Sequence, residues 1–166
     1  MRLVRTIIVA AVVLSAVTGT ASAEYFVIDS YDLDIGVNSA NRFFFFYSID
    51  VTFSKPRHGI YRDIPARYYD RPVLIESISV PDHTFITQNN GQELRIRMGD
   101  ADAYVDGRQR YVVSYEYQIS KDPFDDRDEL YFNLIGDGWD TTIDRVTFRI
   151  DMPYEFDSEQ LSFTYG

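Results

Sequence analysis

Over most of this chain, apolar and polar residues alternate one by one, a period that only an extended strand turns into two distinct faces. Tyr31, Leu33, Ile35 and Val37 are interleaved with Asp32, Asp34 and Gly36. Phe45, Tyr47, Ile49, Val51 and Phe53 alternate with Phe46, Ser48, Asp50, Thr52 and Ser54. The same pattern runs through Leu94–Met98, Tyr111–Ser120, Leu130–Ile135 and Arg145–Met152. Each run has one apolar face and one mostly polar face, as expected of sheets with a core on one side and water on the other. No window of helical length carries a 3.6-residue period.

Turn chemistry separates the runs at Asn89-Asn90-Gly91, Asp106-Gly107, Lys121-Asp122-Pro123 and Gly136-Asp137-Gly138. Short strands with regular punctuation predict an all-β fold, a sandwich or a barrel. The 13 Tyr and 12 Phe favour a sandwich, because bulky rings fill the layer between two sheets. The expectation is a single-domain antiparallel β-sandwich of immunoglobulin-like or jelly-roll-like form over residues 24–166. No repeat, low-complexity tract or linker divides it.

Residues 1–23 have the organisation of a secretory signal. Arg2 and Arg5 form a positive start, Ile7 to Val17 an apolar run, and Ala21-Ser22-Ala23 a small-residue cleavage site. The run is short for a membrane anchor, which needs about 20 apolar residues. Cleavage is therefore expected, giving an exported domain at the periplasmic or extracellular face of the cytoplasmic membrane. No second apolar stretch of spanning length follows, so no transmembrane segment is expected in the domain itself. The absence of cysteine rules out disulfides, thiolate metal sites and thiol catalysis, and leaves packing to hold the fold. The chain has 16 basic and 26 acidic residues; without Arg2 and Arg5 the balance is 14 against 26, or −12. Such a charge repels nucleic acid, which is not expected as a partner. The chain stops at Leu161–Gly166, inside another alternating stretch, as a natural domain can and as a domain cut from a longer protein would.

Three segments carry a family resemblance. His58-Gly59-Ile60-Tyr61-Arg62-Asp63-Ile64-Pro65 resembles the "G-(I/V)-Y-R-x-I-P" turn of the YciQ-like predicted membrane proteins of bacteria, a family of unknown function. Arg97-Met98-Gly99-Asp100, Tyr104-Val105, Gly107, Tyr111 and Tyr115 resemble its "R-x-G-D…Y-V-x-G…Y-x-x-x-Y" hairpin. Asp128-Glu129-Leu130-Tyr131-Phe132-Asn133 through Gly138-Trp139 and Met152-Pro153 resemble its "D-E-L-Y-W/F-N…W…P" segment. The resemblance implies an N-terminal extracytoplasmic β domain, ordinarily followed by transmembrane helices. It supplies no catalytic residues. The Glu usual in the family's second strand has no counterpart in Tyr47-Ser48-Ile49-Asp50.

Several residues are candidates for chemistry. In the Tyr61-Arg62-Asp63 turn, Arg62 either presents a guanidinium fork to a ligand or pairs with a nearby acid and pins the loop. Acidic clusters at Asp100/Asp102/Asp106, Asp122/Asp125/Asp126/Asp128/Glu129 and Asp137/Asp140 offer hard oxygens to calcium. None follows the calcium-loop spacing, so solvated loops are the plainer reading; Asp122, Asp125, Asp126 and Asp128 are the best metal candidates. Trp139, with Tyr68 and Tyr69, is either a sugar-stacking platform or, for the tryptophan, a plug at one end of the sandwich. The Phe43-Phe44-Phe45-Phe46 run is either a strand buried on both sides or an exposed patch; outward-facing Phe44 and Phe46 would mark a protein contact or the lipid-facing side of a membrane complex. His58 and His83 lack metal or acid–base spacing, no carboxylate pair stands out, and no nucleophile elbow is present.

The function expected from these features is a non-catalytic interaction module without a cofactor. It would contact a protein partner, its own membrane region or a second copy. An envelope glycan binder, with or without calcium assistance, is the alternative, and a hydrolase comes third.

Overall fold

A computed structural model describes residues 8–11, 25–40, 42–119 and 132–155. Its elements are β1 (Ile8–Ala11), β2 (Phe26–Val37), β3 (Arg42–Arg57), β4 (Ile60–Pro65), β5 (Arg67–Tyr68), β6 (Arg71–Pro72), β7 (Leu74–Ser79), β8 (Phe85–Asn89), β9 (Glu93–Met98), β10 (Val105–Gln118) and β11 (Val146–Asp151). The chain is all-β, as the period of two requires. No helix among the described residues is long and apolar enough to cross a membrane.

The large sheet has the order β1-β11-β2-β3-β10-β7, and a second sheet the order β4-β9-β8. A two-stranded ribbon, β5-β6, follows β4. β3 is the spine of the large sheet, antiparallel to β2 on one side and to β10 on the other. Its register places inward residues in rows: Tyr31–Ile49–Tyr111, Leu33–Tyr47–Val113, Ile35–Phe45–Tyr115 and Val37–Phe43–Tyr117. The second sheet answers with Ile60, Ile64, Leu94, Ile96 and Met98, all buried in the same cluster. These two apolar faces make the sandwich; burying a side chain of this size stabilises by about 1.5–3 kcal/mol.

Local irregularities adjust the phase. A bulge between Ile28 and Ser30 lets Phe26 and Ile28 point inward before it, and Tyr31, Leu33 and Ile35 after it. A second bulge, between Val105 and Gly107, opens β10. One pairing departs from the antiparallel plan: β11 runs parallel to β2, with Val146 opposite Tyr31 and Ile150 opposite Ile35. β1, within the apolar run of the expected leader, lies antiparallel along the far edge of β11.

Two expectations about local structure are corrected. The His58–Pro65 segment, expected as a turn, is mostly strand: β4 pairs with β9 from Ile60↔Met98 to Pro65↔Glu93. Only His58-Gly59 turns, carrying the chain from the large sheet to the small one. The Leu130–Ile135 alternation does not produce a strand at its described residues, 132–135. There the carbonyls of Leu134 and Ile135 accept hydrogen bonds from side chains in the core instead of from a neighbouring strand.

Candidate functional site

The corner at His58-Gly59 brings distant segments together. Gly59 has φ +110°, and a Cβ there would lie 1.9 Å from the Met98 carbonyl oxygen; Gly99, with φ +129°, faces the His58 carbonyl in the same way. Two backbones cross where no side chain fits, so both positions require glycine. Over this crossing lies a groove of about 300 Å³, lined by Tyr25, Pro56, Arg57, His58, Gly59, Tyr61, Arg97 and Tyr104. Tyr61 and Arg97 are cross-strand partners on the outer face of the small sheet, with Ile86 of β8 beyond them. A shallower hollow between Tyr61, Ile86, Gln88, Arg95 and Arg97 continues the groove across that face. His58 and Tyr104 brace each other: their rings are 4.0 Å apart, and His58 Nδ1 lies 2.9 Å from the Ala103 carbonyl oxygen.

The charge of this groove is opposite to that of the molecule. Five other arginines meet carboxylates among the described residues: Arg42–Glu116, Arg95–Asp63, Arg108–Asp29, Arg110–Asp50 and Arg149–Asp34. Arg57 and Arg97 form no ion pair among the described residues. Arg57 Nη1 and Arg97 Nε are buried and reach no acceptor there. The Arg57 guanidinium instead rests 5.4 Å from the Tyr25 ring centre and 5.1 Å from that of Phe26, with Lys55 Nζ 4.6 Å from Tyr25. Such cation–aromatic contacts orient a cation without neutralising it. Sequence reasoning missed this groove, because its residues come from four separated stretches. Gly59, Tyr61, Arg97, Gly99 and Tyr104, taken from two of the resemblance segments, were its only signal.

Arg62 is not presented at the surface, and among the described residues it is not half of an ion pair. It points from β4 into the sandwich and is 1% exposed. Nη1 donates to the Ile135 carbonyl at 2.8 Å, and Nη2 to the Tyr47 hydroxyl at 3.2 Å and the Leu134 carbonyl at 3.4 Å. Its guanidinium lies 5.1 Å from the Tyr47 ring centre. Burial works against the charge, while the phenol oxygens of Tyr31, Tyr47 and Tyr115 favour it; the balance leaves the pKa above the ordinary arginine value. The neighbouring Asp63 faces outward and takes both Arg95 Nε and Nη2, at 2.7 and 2.8 Å. A period of two places Arg62 and its neighbours on opposite faces, so the three-residue motif never acts as one site.

Trp139 fits the plug. It is half-buried, donates its indole N–H to the Ile135 carbonyl at 2.9 Å and meets Tyr31 edge-on at 6.1 Å. Tyr68 is buried beneath an exposed Tyr69, ring centres 5.0 Å apart, which leaves Tyr69 the exposed face of that pair. Phe44 and Phe46 face outward, 43% and 46% exposed, between Gly36 and Glu116 and between Asp34 and Ser114. Asp122, Asp125, Asp126 and Asp128 lie outside the described residues. Among the described residues, no group of three or more metal-ligating side chains is gathered. Asp102 N–H bonds to Asp100, so that cluster shapes its own turn. His83 Nε2 lies 2.8 Å from the Arg110 carbonyl oxygen, and its ring stacks on Tyr111 at 4.3 Å.

Solved structures similar to the chain include zinc metallopeptidases. A two-domain M1 zinc metallopeptidase variant bound to L-tryptophan matches 60% of this chain and 22% of its own, at 12% identity and TM-score 0.37. The M1 zinc metallopeptidase of Deinococcus radiodurans matches 55% and 20%, at 11% identity and TM-score 0.36. A two-domain enzyme bound to L-arginine matches 76% and 32%, at 14% identity and TM-score 0.35. The chain thus spans a third or less of each of these proteins. No curated protein matches it. A family model described as "Predicted membrane protein (DUF2207) N-terminal domain" matches residues 27–166, nearly the whole sandwich and its C-terminal continuation, and the chain belongs to that family.

Proposed function

We propose that this chain is a non-catalytic binding module on the outer side of the cytoplasmic membrane, taking its ligand in the groove at the sandwich corner. The observation that carries the reading is the pair Arg57 and Arg97. In a chain with 26 acidic residues, two arginines that share a groove with three tyrosines meet no carboxylate among the described residues. Unpaired cations against aromatic walls suit recognition of an incoming group. The one histidine in the groove is occupied in holding its rim, which favours binding over turnover. Export is supported by the leader pattern of residues 1–23 and by the family match beginning at residue 27. Removal of the leader would also take β1 from the edge of β11.

The full chain, expressed with its leader in a bacterial host, tests both halves. Mass spectrometry of the exported protein should find Glu24 at the N-terminus, and that protein should co-sediment with isolated envelope. A variant carrying Arg57→Gln and Arg97→Gln should remain in the supernatant. Intact Met1 on cytosolic material would defeat the export half; equal sedimentation of the variant would defeat the groove. Outward-facing Phe44 and Phe46 favour a second reading, a protein contact on the opposite face of the sandwich.

A further inference from the structure

Resting on that binding reading, we infer that the ligand is an acidic saccharide, its carboxylate or phosphate held by Arg57 and Arg97 and its ring stacked on the groove tyrosines. The two kinds of lining call for two kinds of ligand chemistry at once. A guanidinium with no carboxylate partner among the described residues is matched to the paired oxygens of an incoming carboxylate or phosphate. Tyr25, Tyr61 and Tyr104 are 54%, 50% and 69% exposed; Lys55 and Arg57, Arg95 and His58 lie against their rings in turn, and the remaining ring surface and the hydroxyls are offered to a sugar's C–H face and hydroxyl groups.

The site is also held ready. Tyr104 is braced by His58, Lys55 and Arg57 both lie over the Tyr25 ring, and Tyr61 stands beside Arg97 on a paired strand. Groups fixed before binding lose less freedom when the ligand arrives. The groove volume of about 300 Å³ is at the small end of ligand sites and suits a short saccharide.

An acidic peptide would satisfy the arginines but leave the ring faces unused. A long one would also meet the acidic surface beyond the groove, where like charge repels. A neutral sugar would use the rings and leave both guanidinium groups without an acceptor. Only a ligand with both features uses the whole lining. The glycan reading of the sequence thus moves from Trp139, which is taken up in packing, to the other two motif segments.

Isothermal titration of the processed full-length product tests this, with trigalacturonate, glucose 1-phosphate, maltotriose and a hexaglutamate peptide as probes. Trigalacturonate or glucose 1-phosphate should bind, and the tighter of the two identifies the anion source. Maltotriose should bind at least about tenfold more weakly, as losing hydrogen bonds to a charged group implies. Arg57→Gln and Arg97→Gln should each weaken the acidic saccharide about tenfold or more, with unchanged urea midpoints. Arg97→Lys should recover part of the loss, since it restores charge but not the fork. Tyr61→Ala should weaken trigalacturonate and leave inorganic phosphate unaffected. Maltotriose binding as tightly as trigalacturonate, or saccharide binding that survives both arginine substitutions, would overturn the inference. Hexaglutamate binding that depends on Arg57 and Arg97 and exceeds every saccharide would overturn it while sparing the groove as a binding site. Folded protein that binds none of the four would overturn both.

Discussion

The buried arginine makes a quantitative demand on one glycine. Gly136 has φ +86°, and a Cβ there would come within 2.4 Å of Arg62 Nη1. Gly91 has almost the same φ, +85°, and a Cβ there would meet nothing within 4 Å. Alanine at either site meets the left-handed backbone penalty of about 1–2 kcal/mol. At Gly136 it must also push the guanidinium off the Ile135 carbonyl, a charged hydrogen bond whose loss costs about 1.5–3 kcal/mol. Gly91→Ala should therefore destabilise by about 1–2 kcal/mol, and Gly136→Ala by about 2.5–5 kcal/mol. Urea unfolding, with midpoints compared at equal slopes, reads the difference. Trp139 is the chain's one tryptophan and bonds to the same carbonyl, so its fluorescence should shift in folded Gly136→Ala and not in Gly91→Ala. In an Arg62→Met background the two glycine substitutions should cost the same, because the atom struck by the new methyl group is gone. Equal costs in the parent protein, within about 0.5 kcal/mol, would refute the idea that Arg62 clamps this segment to the core.

The hydroxyls of the core give an opposed pair. Tyr47→Phe should cost about 1–2 kcal/mol, since it breaks contacts with Tyr115 and Arg62, whereas Tyr111→Phe should be neutral or stabilising, because that hydroxyl is buried with no partner among the described residues; chemical denaturation measures both. On the acid side, the Arg110 hydrogen bond holds the Asp50 carboxyl below its ordinary value of 3.8. The folded state therefore takes up this proton less readily than the unfolded one, so the stabilisation is present above that value and is lost as pH falls through the lower folded value. Asp50→Asn should flatten this part of the stability–pH curve, and an unchanged slope would remove Asp50 from the account. On the alkaline side, burial pushes Tyr111 up to about 12, and burial, ahead of every other cause, raises Tyr31, Tyr115 and Tyr117 as well. Stability should be full below pH 10, the unfolded value, and decline as pH rises toward the folded one. Absorbance in the near ultraviolet, where phenolate absorbs and phenol does not, should show these groups ionising together with unfolding; separate, earlier ionisation would contradict their burial.

The long strands of the large sheet were legible because each obeys a local rule, whereas β7, exposed over most of its length, and β1, inside the apolar run of the leader, were not read as strands. In β2, β3 and β10 one face must be apolar, and that regularity survives in the linear order of residues, as it does in β9 of the small sheet. β4 was hidden by its own content: an inward arginine and a glycine–proline frame look like a turn when no partner strand is in view. The Leu130–Ile135 alternation misled for the converse reason, since apolar spacing does not reveal that the Leu134 and Ile135 carbonyls are claimed by Arg62 and Tyr31. The outward aim of Phe44 and Phe46 followed from the period of two once Phe45 was taken as core. The parallel pairing of β11 with β2 and the groove at the corner had no such local trace. They depend on which distant segments meet in the fold, and long-range proximity is a property of the folded backbone rather than of neighbouring residues. Sequence alone thus determined that the chain forms sheets with one greasy face each. Tertiary structure decided that Arg62 is enclosed while Arg57 and Arg97, identical in chemistry, are left facing an open groove.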